Sequence, residues 1–201
     1  MQTIDFYLDF VSPYAYLAFQ ALPQVLQDSS YHVAYKPVVL GAIFKEQGIS
    51  SPAGNPSKHD WIRRHTSWLA KQQGDSAFAW PQPHPFNSIG LSRLALACSH
   101  DGSINRFTAE TIFKHVWQSG GDPLDAARLQ ELQQQLQLQI DRAGGVFALD
   151  SEANKQQLRL LTEEAVARTV FGVPAFVVEG QMLWGLDALP MLREIVRNAA
   201  D

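Results

Sequence analysis

Apolar and polar positions alternate along the first ten residues. Ile4, Phe6, Leu8 and Phe10 are separated by Asp5, Tyr7 and Asp9. A period of two predicts a strand with one face in the core. Val11-Ser12-Pro13 breaks the alternation, and over residues 14–26 the apolar positions Tyr14, Leu17, Ala18, Ala21 and Val25 recur at helical spacing. Pro13 suits the first helical position, where its missing N–H costs nothing, so Ser12 falls at the N-cap. A second strand is predicted over residues 32–39, ending near Gly41. Strand, helix and strand within so short a span make a βαβ unit.

The period then changes. Between Ser57 and Arg168 the chain reads as helices separated by turns. Leu91, Leu94, Ala95 and Cys98 share one helical face, as do Ala109, Ile112, Phe113 and Val116, and Leu129, Leu132 and Leu136 in a glutamine-rich stretch. Asp122-Pro123 and Asp125 are start signals for the last of these, and Gly144-Gly145 lies in a later loop. Pro81, Pro83 and Pro85 mark a segment that neither a helix nor a central strand tolerates. Strands return at the C-terminal end: residues 175–178 and 181–184 flank the two-residue turn Glu179-Gly180, which is a hairpin. A final helix over residues 187–198 buries Leu189, Leu192, Ile195 and Val196. Neither end alone closes a sheet. The order predicts an α/β fold with a four-stranded mixed sheet cut by a large all-helical insertion. Residues 1–40 and 169–201 then form one discontinuous domain, and residues 41–168 the insertion.

Composition narrows the chemistry. The 201 residues are 46% hydrophobic and 18% charged, with a formal net charge of -4 and a pI near 5.8. These are the proportions of an ordinary globular protein, and no basic patch recommends nucleic acid as a partner. No run approaches the ~20 apolar residues of a membrane span. The N-terminus shows no basic stretch followed by a long apolar run, which predicts a cytoplasmic location. Cys98 is the single cysteine, which excludes an intramolecular disulfide and any Cys-x-x-Cys redox or zinc site.

Three positions could carry chemistry. Ser12 places a hydroxyl at a helix N-terminus, where free N–H groups and the helix dipole favour negative charge such as a ligand thiolate. The simpler reading is an N-cap worth about 1 kcal/mol; the two are compatible. Val173-Pro174 precedes an apolar strand, where a cis bond would present the Val173 backbone to a ligand, although most X-Pro bonds are trans. Asp187, in Trp184-Gly185-Leu186-Asp187, reads as another N-cap, or as a carboxylate holding an amino group. His59, His65 and His84 lack a tight metal spacing, so no metal site is expected. Cys98 lies on an apolar face and is predicted to be a packing residue. Trp61, Trp68 and Trp80 read as core residues rather than a ligand platform.

Several segments together resemble a known family. The run from Asp5 to Ala18, with its Asp9-Phe10-Val11-Ser12-Pro13-Tyr14 centre, resembles the opening of the 2-hydroxychromene-2-carboxylate isomerases, relatives of the kappa-class glutathione transferases. Phe171-Gly172-Val173-Pro174-Ala175-Phe176 resembles their cis-proline segment, and Trp184-Gly185-Leu186-Asp187 their W-G-x-D-R motif. The resemblance spans essentially the whole chain. It implies a DsbA-like thioredoxin fold, a homodimer, and glutathione bound at the start of the first helix. By the same resemblance Ser12 would hold the glutathione sulfur as a thiolate, and Val173 would pair its backbone with the cysteinyl part, as an added strand does, with Pro174 also at the glutathione site. Asp187, beside Trp184, would meet its γ-glutamyl end. The implied activity is isomerisation of an aromatic carboxylate, with the glutathione thiolate adding reversibly to a conjugated double bond.

The chain also departs from that pattern. Ile49 stands where the family has an asparagine, Ala188 replaces the motif arginine, and His65 and Trp68 occupy an Asp-x-x-Arg pair. These changes leave open two alternatives: a kappa-like transferase, and a non-catalytic binding module on the same fold. Disulfide exchange needs a thiolate, and Ser12 and Ala15 fill the two cysteine positions.

Overall fold

The computed structural model describes residues 2–198. Strand β1 (Gln2–Leu8) pairs in parallel with β2 (Tyr31–Pro37), with Ile4 opposite Val33. On its other edge β1 runs antiparallel to β3 (Ala175–Val178), with Phe6 opposite Phe176. A hairpin then adds β4 (Gln181–Trp184), giving the order β2-β1-β3-β4. Its turn residues Glu179 and Gly180 have φ of 49° and 76°, the left-handed pair that lets a two-residue connection follow the strand twist. Helix α1 (Pro13–Val25) is the crossover between β1 and β2.

The alternation in β1 foretold one buried face, and the structure covers both. Ile4, Phe6, Leu8 and Phe10 pack into one cluster with α1. The residues between them are not solvated: Tyr7 and Asp9 are 0% and 1% exposed. Tyr7 joins a second cluster with Leu158, Leu161 and Ala165 of helix α7 (Glu152–Ala167). Its phenol donates to Glu164 (2.8 Å), and Lys36 bridges Asp5 and Glu164. Polar residues on an inner strand are thus accommodated by hydrogen bonds under a second layer of helices.

Five further helices form the inserted stretch with α7: α2 (Leu40–Glu46), α3 (Pro56–Gln72), α4 (Ile89–Ala97), α5 (Arg106–Trp117) and α6 (Ala126–Arg142). Asn55, Asn105, Asp125 and Ser151 each cap their helix by accepting an N–H three residues on. The α4, α5 and α6 faces read from the sequence are buried, apart from a half-buried Leu129. Helix α2, with Ile43 its one buried residue, is too short for a readable period. The helices share the sheet's core: Phe113 lies against Phe10 and Phe19, with ring centroids 4.9 and 5.2 Å apart.

Two expectations need correcting. Asp187 is not the N-cap of the last helix, α8 (Leu189–Asn198); it lies inside a single 3₁₀ turn, Leu186–Ala188, that precedes it. Trp61 and Trp68 are 57% and 55% exposed rather than in the core, because α3 turns its polar and aromatic residues outward and buries only Thr66 and Ala70 fully. Cys98 is buried as expected, and burial pushes its thiol up to about 11. Among the described residues no helix is long and apolar enough to cross a membrane.

Candidate functional site

The turn between β1 and α1 is fastened from three sides. Asp9 is a buried carboxylate that accepts the N–H groups of Val11 (3.1 Å) and Leu40 (2.9 Å) and a hydrogen bond from Ser88. Leu40 opens α2, whose own N-cap, Val39, supplies no side-chain bond, so Asp9 caps that helix from a distance. Burial raises the Asp9 pKa, opposed by these donors. Trp117, fully buried, donates its indole N–H to the Phe10 carbonyl (2.9 Å). His84 meets the Val11 carbonyl at 2.9 Å.

Ser12 follows and caps α1 from an extended conformation (φ -89°, ψ 116°), its Oγ accepting the Ala15 N–H at 3.2 Å. The hydroxyl donates to the Val173 carbonyl at 3.3 Å. The Val173-Pro174 bond is cis, and Pro174 enters β3 next to the mouth of α1, where β1 and β3 pair at Tyr7 and Ala175. Of the first-turn N–H groups, Pro13 has none, Ala15 is capped, and Tyr16 bonds the Ser12 carbonyl. Among the described residues the Tyr14 N–H finds no protein acceptor, which leaves one donor at the positive end of the helix.

A cavity of about 460 Å³ opens there, lined by Tyr14, His65, Leu69, Val173, Pro174, Trp184 and Asp187 among others. Four of the five residues singled out from the sequence therefore line one space. The fifth, Ser12, is 5% exposed and does not line it; it sits behind Val173, in contact with that residue's carbonyl. Trp184 packs over Gly172, where a Cβ would come within 2.8 Å of the indole nitrogen. Gly185, at φ 99°, turns the chain from β4 towards Asp187. Tyr14 Oη and His65 Nδ1 are 2.9 Å apart, and the Tyr14 pKa is raised by burial and then by the Asp187 carboxylate. A larger cavity of about 620 Å³, lined by Arg63, Lys71, Asp75 and Trp80 among others, includes Gln82, which precedes the cis-Pro83, but no helix N-terminus opens on its wall. Ile49 lies outside the 460 Å³ cavity and is 47% exposed.

Sequence reasoning missed Asp9, Tyr14 and His84. An aspartate at the end of a strand whose both faces are covered was the available signal for Asp9. His84 gave none, because its role depends on a carbonyl 73 residues away. A carbonyl only accepts, so His84 carries its proton on Nε2 and accepts on Nδ1. His59 Nε2, 2.9 Å from His84 Nδ1, must then be the donor of that second bond.

Burial lowers the His84 pKa from 6.5 to about 4, the Val11 bond opposing and the His59 charge adding to the shift. A histidine held neutral in the fold contributes stability that is present above its unfolded value and lost as pH falls through its folded one. The gap between 6.5 and about 4 corresponds to roughly 3 kcal/mol at most. Urea unfolding of wild type and His84→Gln between pH 7 and 4 checks this on the order of those values. The wild type is expected to lose stability faster, with Asp9 common to both chains. Parallel curves would remove His84 from the account.

The family described as DSBA-like thioredoxin domain matches residues 3–197. The chain is 27% identical to 2-hydroxychromene-2-carboxylate isomerase of Sphingobium xenophagum over 198 residues, 95% of this chain and 96% of that one. It is 23% identical to human glutathione S-transferase kappa 1, covering 97% of this chain and 91% of the other. The solved structure of a 2-hydroxychromene-2-carboxylate isomerase superposes with a TM-score of 0.78 at 24% identity, over 98% of this chain and 96% of that chain.

Proposed function

Given that the chain belongs to the DSBA-like thioredoxin domain family, we propose that it is a glutathione-dependent isomerase of an aromatic carboxylate. The observation that carries the proposal is the Ser12 hydroxyl at the mouth of α1, bonded to the residue before a cis-proline. The fold's redox chemistry has no nucleophile here: positions 12 and 15 are serine and alanine, and Cys98 is buried with a raised pKa.

The residues present fit glutathione. Val173 offers its backbone beside cis-Pro174 to a peptide-like ligand. The Tyr14 N–H is the unspent donor for a sulfur anion, and Ser12 adds a second once its hydrogen swings from the Val173 carbonyl. Asp187, exposed on the cavity wall, supplies the charge for an ammonium group. Glutathione, when bound, supplies a thiolate that adds reversibly to a conjugated double bond and so frees rotation about it. Ser12 and the α1 N-terminus lower the cost of the negative charge in advance of the reaction. Leu69, Pro174 and Trp184 give the aryl group an apolar wall that limits water. A cytoplasmic homodimer belongs to the same reading, the dimer following from the family resemblance.

Isomerisation of 2-hydroxychromene-2-carboxylate, followed by absorbance with and without glutathione, tests the proposal. Turnover that requires glutathione and returns it unconsumed supports it. Conjugation of chlorodinitrobenzene without isomerisation would favour the transferase reading, to which the human kappa relative points. Neither activity, with no heat of glutathione binding, would leave a binding module.

A further inference from the structure

Tyr14 and His65 are joined across the cavity by a contact that the reading above does not use. They come from different elements, α1 and the inserted helix α3, and both line the space beside Pro174. A phenol carries one hydrogen. If it points to His65, nothing is left for a ligand; if His65 Nδ1 carries the shared hydrogen, the Tyr14 O–H is free to turn into the cavity. The His65 ring is held for this role between neighbours on its own helix. It is nearly parallel to Trp61 (11°, centroids 5.5 Å) and Trp68 (13°, 6.2 Å). The charged group facing Tyr14 is Asp187, whose carboxylate adds to burial in raising the phenol above its ordinary value.

Addition of any nucleophile to a conjugated 2-keto acid pushes negative charge onto the keto oxygen, and that oxygen needs a donor in a water-poor site. We propose that Tyr14 is this donor, its O–H hydrogen-bonding the substrate's keto oxygen, and that His65 is a positioning residue that turns the phenol hydrogen into the cavity by donating from Nδ1. The assignment rests on the isomerase reading. It takes its substrate from that reading and adds the two residues that would meet the carbonyl.

The test uses benzylidenepyruvate titrated into the protein without glutathione, because a hydrogen bond to the carbonyl of a conjugated enone shifts its absorption band to longer wavelength. The wild type is expected to bind the probe with a red-shifted band, and Tyr14→Phe to bind it with the band at its free position. His65→Leu is expected to lose part of the shift and His65→Gln, which retains an N–H, to recover it. In turnover, Tyr14→Phe is expected to fall roughly 100-fold in kcat. Thermal unfolding confirms that each variant is folded. An unchanged shift in Tyr14→Phe overturns the inference and leaves the isomerase reading standing. Equal losses in His65→Leu and His65→Gln overturn the positioning role. Failure of the wild type to bind the probe overturns both the inference and the aromatic-carboxylate reading.

Discussion

Ser12→Ala is expected to lower kcat for glutathione-dependent isomerisation by roughly 100-fold, the usual cost of removing one donor aimed at developing charge. The fold should survive. The hydroxyl accepts the Ala15 N–H and donates to the Val173 carbonyl, so its loss removes a helix cap worth about 1 kcal/mol. A larger fall in stability would mean that the Ser12–Val173 contact is chiefly a fastening. Full activity in the variant would remove Ser12 from the chemistry. Ser12→Cys separates the two roles further. It places a thiol over the helix N-terminus, where a cysteine is acidified, and is expected to lose isomerisation and, given oxidised glutathione, to form a mixed disulfide by attacking its S–S bond and releasing one glutathione thiolate.

Trp117→Ala is expected to destabilise the protein by about 3–5 kcal/mol, read as a lower midpoint in urea unfolding. The indole is fully buried and stacks on Phe78 (3°, 5.8 Å) and Tyr16 (23°, 6.3 Å). Its N–H also holds the Phe10 carbonyl, two residues before Ser12. The substitution therefore leaves a cavity and frees the turn that aims the hydroxyl. Trp117→Phe fills most of the space without the N–H. It should cost less stability than Trp117→Ala and still reduce glutathione affinity. If Trp117→Phe bound glutathione as wild type does, Trp117 would be a packing residue alone.

The elements legible in the sequence were those with a local cause. The alternation up to Leu8, the Ser12-Pro13 start of α1 and the Glu179-Gly180 hairpin depend on neighbours within a few residues, and the structure has each of them. The second buried face of β1 was not legible. Tyr7 and Asp9 are polar in sequence and become core residues because α7, α2 and Ser88 supply partners from far along the chain. Asp187 shows the same limit on a smaller scale: an aspartate before an amphipathic helix looks like a cap, and an intervening 3₁₀ turn takes it into the cavity wall instead. The convergence of Val173, Pro174, Trp184 and Asp187 came from matching a family pattern, not from periodicity. His65 and Tyr14 were visible as residues, but nothing in spacing links positions 51 apart on two helices.

The ultraviolet thiolate band of glutathione, recorded against pH in the presence of wild type and of Ser12→Ala, tests the central claim most directly. The wild type is expected to lower the pKa of the bound thiol well below the ordinary thiol value of about 8.5, so that the band is present at neutral pH, and Ser12→Ala to shift it back upward. Binding of glutathione with an unshifted thiol in the wild type would contradict the assignment of Ser12 and the α1 N-terminus as the site that holds the thiolate.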